Sequence, residues 1–312
     1  MNRIFNYINY SKQAFHQKMD RQLRQQEQLL LLLPIVAELR LEHPEVGARQ
    51  LYEILQPSNV GRDKFEQFCF ANGYKLQRAK AYKKTTNSNG VIRFPNLVLG
   101  TEFTDVNQAW SSDITYYQIG NKFYYLTFIL DLYSRFIVGF SVSKNLSTEE
   151  TTIPALTMAL QQRNPPSSVI FHSDGGSQYY CKTFLKLTQT YQMKNSMCDI
   201  AYENSHAERI NRTIKNQYLK GYNPQSFLSL IQMTQRAVNN YNKIRPHKSL
   251  KKMSPAAFEG KLPAGGSSLT NDNFCIDKSK SKRHQKNYHL PTRFVLDPKT
   301  ERKRVDKTVN VF

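Results

Sequence analysis

Trp110-Ser111-Ser112-Asp113-Ile114-Thr115-Tyr116-Tyr117, Phe123-Tyr124-Tyr125-Leu126-Thr127-Phe128-Ile129-Leu130-Asp131-Leu132 and Phe136-Ile137-Val138-Gly139-Phe140-Ser141-Val142 are three successive runs of β-branched and aromatic residues. Gly120-Asn121 separates the first two and Ser134-Arg135 the last two, so the pattern predicts three consecutive antiparallel strands. Downstream the period lengthens. The spacing predicts a helix over 148–162, a short buried strand at Val169-Ile170-Phe171-His172 after Pro165-Pro166, and a helix over 177–191. A longer helical stretch, 203–218 and 225–242, closes the region.

Three hairpin-linked strands followed by alternating helix and strand predict an α/β core of the ribonuclease H type over residues 109–260. Residues 1–73 read as helices. Ser11 opens a helical composition that continues to Glu42, with Pro34 expected to start or kink a helix. Gly47 to Leu55 and Val60 to Cys69 then give two short helices joined by a turn. That is helix-turn-helix geometry, although a small helical bundle without DNA contact has the same periodicity. Residues 74–108 read as a basic linker: Tyr74 to Arg93 holds six basic residues, Lys80, Lys83 and Lys84 among them, and no acid. Such a segment suits a phosphate backbone or serves as a solvated connector. Residues 261–312 form a basic tail with a possible small β element around Asp297-Pro298-Lys299-Thr300.

The 312 residues carry 44 Lys plus Arg against 24 Asp plus Glu, a formal charge of +20, so a polyanion is the expected partner. With 39% hydrophobic and 12% aromatic residues the chain has material for real cores, which excludes a wholly disordered basic protein. The longest apolar run, Leu29 to Ala37, is broken by Pro34 and falls short of the roughly 20 residues of a membrane span. The residues after Met1 lack a secretory apolar stretch, so a cytoplasmic location is expected. Cys69, Cys181, Cys198 and Cys275 are too scattered for a zinc site or a disulfide framework.

Only nine acidic residues lie between 109 and 260, and three fall at telling places. Asp113 is within the first strand, Asp174 follows the fourth, and Glu208 lies on the helix after it. Phosphodiester chemistry uses hard oxygen ligands, and carboxylates converging from separate elements suit it. Alone this would be weak, because an Asp after a strand is usually a turn former. The surrounding strings add more. Trp110-x-x-Asp113-Ile114-Thr115, His172-Ser173-Asp174-x-Gly176-Ser177-Gln178-Tyr179, Asn204-x-x-Ala207-Glu208, Tyr241-Asn242-x-x-Arg245-Pro246-His247-x-Ser249-Leu250 and Met253-Ser254-Pro255-Ala256-Ala257-Phe258 occur in that order. Together they resemble the integrase core of bacterial insertion-sequence transposases, in particular the second-frame product, OrfB, of the IS-three family. His43-Pro44-x-x-Gly47-x-Arg49 and Val60-Gly61-Arg62-x-x-Phe65 extend the resemblance into the helix-turn-helix region, so that it spans about residues 11 to 258.

The resemblance implies a transposase that cuts and joins DNA, with Asp113, Asp174 and Glu208 as catalytic residues and ligands of two Mg²⁺ ions that Mn²⁺ can replace. It also implies action on double-stranded DNA as a homo-oligomer, beside or fused to an upstream-frame product. The family commonly has 35 residues between its last two carboxylates, against 33 here, and Glu203 is the competing third carboxylate. Five helical residues turn the face by about 140°, so only one of the two can serve, and the flanking Asn204 and Ala207 select Glu208. His172 and Asn204 are expected to support the site, His172 by orienting Asp174 or satisfying a backbone group. Arg209, Arg212 and Lys215 share the helix of Glu208 and are expected to face DNA phosphates, unless they form a solvated face. Asp131 is read as a turn former or a partner of Arg135 rather than as an active-site neighbour. Two rival readings remain: a domesticated DNA-binding protein without catalysis, and a structure-specific nuclease of the same fold.

Overall fold

Alternation along β1 (Ala109–Ile119), β2 (Lys122–Asp131) and β3 (Ile137–Ser143) builds the centre of the protein. The computed structural model describes residues 11–76, 94–165, 168–198 and 204–262. β1 and β2 pair antiparallel from Trp110↔Asp131 to Ile119↔Lys122, and β2 pairs antiparallel with β3. Gly120 sits at φ 56°, the left-handed conformation that a two-residue hairpin turn demands.

The chain then crosses the sheet through α4 (Thr152–Arg163) to β4 (Ile170–Ser173), which lies parallel to β1. β5 (Lys194–Met197) adds in parallel beyond it, giving the order β3-β2-β1-β4-β5. Three antiparallel strands with two parallel strands appended beside the first make a ribonuclease H-like sheet, as the sequence predicts. β5 is not among the predicted strands, because Lys194-Asn195-Ser196-Met197 is a short polar edge without alternation. The helix expected over 177–191 is instead a 3₁₀ turn, Ser177–Tyr179, and then α5 (Lys182–Thr190), broken by the extended Cys181.

Both faces of the sheet are covered. Trp110, Ile129, Val138 and Phe171 pack with Leu156, Leu160 and Phe184 of α4 and α5. Leu126, Phe128, Leu130 and Phe140 pack on the other face against α6 (Ser205–Thr213), its π-helical continuation Ile214–Leu219, and α7 (Phe227–Lys243). α8 (Pro255–Glu259), capped by Ser254, closes the core through a bidentate Arg163–Glu259 ion pair.

A third core, with Val36, Leu39, Leu51, Val60 and Phe65, joins the end of α1 (Lys12–Glu42) to α2 (Ala48–Leu55) and α3 (Arg62–Ala71). Pro34 does not start a helix. α1 runs through it, since the exposed proline removes one backbone donor while Val36 and Leu39 hold the following turns in the core. This helical unit docks on the sheet-containing core. The Glu42 carboxylate receives Arg236 at 2.6 and 2.9 Å and Asn240 at 2.9 Å, and Glu45 N–H donates to the Gln217 carbonyl at 3.2 Å. Residues 94–108, placed in the linker by the sequence, already pack on the core: Leu97 N–H donates to Ser196 Oγ and Asn107 N–H to Asp131 Oδ2. Lys80, Lys83, Lys84, Glu203 and the tail from residue 263 lie outside the described residues. No helix among the described residues is long and apolar enough to cross a membrane.

Candidate active site

Alternate side chains of β1 point to opposite faces, and the odd-numbered ones meet the helix that carries Glu208. Ser111 Oγ donates to Asn204 Oδ1 at 2.5 Å, and Asn204 Nδ2 donates to the Ser112 carbonyl at 2.9 Å. Asn211 Nδ2 donates to Asp113 Oδ2 at 2.9 Å. Lys215 Nζ donates to Thr115 Oγ1 at 3.1 Å, and Tyr117 Oη to the Leu219 carbonyl at 3.2 Å. Strand positions 111, 113, 115 and 117 are thus fastened to positions 204, 211, 215 and 219. Glu208 lies four residues after Asn204 and three before Asn211, on the helical face these two anchors turn towards Asp113.

Asp174 arrives from the other side. β4 runs parallel to β1 and the ladder ends at Ser111 opposite His172, two residues before Asp113 and Asp174, whose charge acts on Asp113. The turn after β4 is held by Gly176 N–H donating to Asp174 Oδ1 at 3.1 Å. A Cβ on Gly176 would lie 3.0 Å from that oxygen and would crowd the Asp174 carboxylate.

The electrostatics follow from this convergence. Burial, then repulsion from Asp174 and from Glu208, pushes the Asp113 carboxyl up to about 7, against the bonds from Asn211 and the Ile114 N–H. Burial also raises Asp174, opposed by the Gly176 N–H. Like charges gathered from three elements, all with oxygen donors, fit a hard divalent cation. Among the described residues no three acidic, His or Cys side chains are gathered into a closed ligand group.

Several expected residues take other places. His172 Nδ1 pairs with Ser196 Oγ at 2.9 Å, and the same hydroxyl accepts from Leu97 N–H, so His172 ties β4 to β5 and the incoming segment rather than orienting Asp174 through that nitrogen. Asp131 accepts from the N–H groups of Asn107, Tyr133 and Ser134, which makes it a buried turn former. Asn204 supports the site through β1. Lys215 is not a solvated cation: it packs 4.9 Å over the Tyr116 ring, and burial lowers its pKa against the pull of Asp113. Arg209 and Arg212 are exposed on the same helix. Arg245 and His247 belong to a structural turn, with Arg245 Nε on Gln217 and the His247 ring 4.7 Å from that of Tyr241.

Asn211 was missed by sequence reasoning. It is buried, its Oδ1 has no hydrogen-bond partner among the described residues, and its amide holds a candidate catalytic carboxylate. The spacing Asn204, Glu208, Asn211 puts all three on one helical face, which marks Asn211 as a neighbour of Glu208 but does not give its role.

A ribonuclease H-like sheet with candidate carboxylates on β1, after β4 and on α6 fits a polynucleotidyl transferase of the DDE class. Two family models described as integrase core domain match residues 104–202 and 191–255. The chain is 31% identical over 253 residues to the insertion element IS600 uncharacterized 31 kDa protein of Shigella sonnei, covering 79% of this chain and 92% of that one. It is 32% identical over 161 residues to the transposase InsF for insertion sequence IS3A of Escherichia coli strain K12, covering 50% of this chain and 54% of that one. Among solved structures, the HTLV-2 integrase catalytic core domain in complex with magnesium aligns with TM-score 0.41 at 23% identity, over 49% of this chain and 95% of that one. The simian T-cell lymphotropic virus intasome aligns with TM-score 0.44 at 19% identity, over 66% and 69%. The chain belongs to the IS3 family of insertion-sequence transposases.

Proposed function

We propose that Asp113, Asp174 and Glu208 are the catalytic carboxylates of this DDE transposase and that they hold two Mg²⁺ ions, replaceable by Mn²⁺. The observation that carries this is the ladder from Ser111–Asn204 to Thr115–Lys215, which turns the Glu208 face of α6 towards Asp113 while the β1–β4 register brings up Asp174. When bound, such ions supply charge stabilisation for the attacking and leaving oxygens of a phosphodiester.

The chain's own groups do the positioning. Asn211 fixes the orientation of Asp113, Asn204 fixes the start of α6, and Lys215 offers a half-buried cation to a phosphate beside Asp113. Arg209 and Arg212 contact the flanking backbone. In the first reaction water replaces the 3′ oxygen on a phosphorus at the element's end and frees a 3′-OH. In the second that 3′-OH attacks a target phosphodiester, so one P–O bond forms as another breaks and no covalent enzyme intermediate arises. The substrate is the element's terminal repeats and a target duplex, bound by a homo-oligomer in the bacterial cytoplasm, with the upstream-frame product as partner or fusion. Residues 1–73 serve as the helix-turn-helix DNA-binding unit and 109–260 as the catalytic core.

A joining assay on labelled DNA ends flanking the coding sequence tests the reading. Joined product that requires Mg²⁺ or Mn²⁺ and disappears in EDTA supports it, and Ca²⁺ should allow binding without turnover. Cleavage without joining would favour the nuclease, and binding without either would favour the domesticated DNA-binding protein.

A further inference from the structure

The amino-terminal half of α1 carries a charge arrangement that the catalytic reading does not use. Lys18, Arg21, Arg24, Gln25 and Gln28 line one side of an open cleft of about 620 Å³, and Lys64 of α3 lines the other. Lys64 Nζ donates to Gln25 Oε1 at 2.6 Å and closes the cleft between the two helices. No acidic side chain lines it. Asp20 and Glu27 are not among the lining residues, although at about 100° per residue they flank Arg24 at one edge of the cleft face.

None of the four cations is used elsewhere in an ion pair among the described residues. Arg21 and Arg24 each spend only Nε, on the carbonyls of Gln17 and Asp20, at 3.2 Å. Each guanidinium therefore keeps its terminal NH₂ pair for an outside acceptor, and paired N–H donors match phosphate oxygens. The glutamine amides between the cations add neutral donors and acceptors of the kind that accompany a phosphate backbone. Lys64 stands in the first turn of the second helix of the helix-turn-helix pair, so the cleft is continuous with that unit.

We propose that this cleft is a DNA-backbone site, in which Lys18, Arg21, Arg24 and Lys64 grip the phosphates of a duplex held by the helix-turn-helix unit. The site rests on the reading of the chain as a DNA transposase and locates part of its affinity some way along the sequence from the catalytic residues. An occupied cleft makes α1 a second wall for the duplex and leaves base reading to other residues. Binding here is insensitive to base sequence.

The test uses the full chain and two labelled duplexes of equal length, one with the DNA end that flanks the coding sequence and one scrambled. Affinity is measured by anisotropy across about 50 to 200 mM salt. The variant Lys18→Gln, Arg21→Gln, Arg24→Gln, Lys64→Gln should lower the log-log slope by about three to four units on both duplexes. The charge-preserving set Lys18→Arg, Arg21→Lys, Arg24→Lys, Lys64→Arg should keep the wild-type slope. An unchanged slope in the glutamine variant, with a wild-type thermal melt, overturns the proposal. A variant that keeps its DNA slope but loses binding to polyglutamate also overturns it, and gives the cleft to an acidic protein segment. Absence of joined product from the wild type would retire the transposase reading, while the slope comparison would still report on the cleft.

Discussion

Asn211 shows how the site is organised at the scale of single residues. Its Nδ2 holds Asp113 Oδ2 at 2.9 Å while Asp113 bears the repulsion of two other carboxylates. Removing it leaves Asp113 free to turn without removing a carboxylate. Asn211→Ala should lower joining about 10- to 100-fold, the range seen when a group orienting a metal ligand is lost. The loss should shrink at high Mn²⁺, and a deficit independent of metal concentration would make Asn211 only a packing residue. Asp113→Asn, Asp174→Asn and Glu208→Gln should each abolish cleavage and joining while leaving DNA affinity close to wild type, whereas Glu203→Gln should leave the rate unchanged. The reverse result at 203 and 208, read in the same joining assay, would move the third carboxylate to Glu203. The candidate carboxylates could be named from sequence because each sits in a string that constrains its neighbours. Asn211 was not, because a buried Asn on a helix has many structural uses and only the strand opposite it reveals which one applies. The Nδ1 partner of His172 was hidden for a related reason: Ser196 is on a strand that the sequence barely marks.

Elements were readable where one face is uniformly apolar. β2 alternates Leu126, Phe128 and Leu130 against Ile129, and the two sets enter different cores. β5 has no such contrast, and the π-helical turns at Ile214–Leu219 leave no local signature at all. Gly139 on β3 illustrates a constraint that only packing exposes. A Cβ there would lie 2.2 Å from the Ala155 carbonyl and 2.9 Å from Ala159 Cβ, so β3 and α4 approach at a distance that only glycine permits. Nothing flexible can give way, because the nearest atom is backbone. Gly139→Ala should therefore force α4 off the sheet and cost about 1–3 kcal/mol, the range for an overpacked core. Urea unfolding measures this directly. A midpoint within error of wild type would mean that α4 slides without penalty.

At the scale of the whole molecule, the helical unit leans on the segment that continues from α6. Glu42 meets Arg236 from 194 residues away and His43 meets Tyr218 from 175, separations with no local trace in the sequence. Gly221 packs so closely on Pro44 that a Cβ would fall 2.1 Å from the proline Cβ. His43 makes this interface sensitive to acid. Its ring is fully buried, with Nδ1 3.3 Å from the Tyr218 hydroxyl. Burial pushes its pKa down to about 4, with Glu42 pulling the other way and Arg245, Arg236 and Arg40 adding to the depression. A base depressed in the folded state gives stability that is fully present above its unfolded pKa, near 6.5, and is lost as pH falls towards 4, because the unfolded chain takes up a proton that the folded chain refuses. His206, lowered to about 4, and His247, lowered to about 3, push in the same direction. The histidine contribution is flat above neutrality and falls between about pH 6.5 and 4, while the buried carboxyls of Asp113, raised to about 7, and of Asp174 and Asp131 contribute with the opposite sign, so His43 is read from the difference between two proteins. His43→Gln removes one titrating group from the interface, so the slope of unfolding free energy against pH in that window should be lower than in wild type by up to about 1.4 kcal/mol per pH unit. Chemical denaturation at half-unit pH steps reads the slope, and equal slopes for the two proteins would show that His43 reaches water and that the helical unit is docked less tightly than Glu42, His43 and Gly221 indicate.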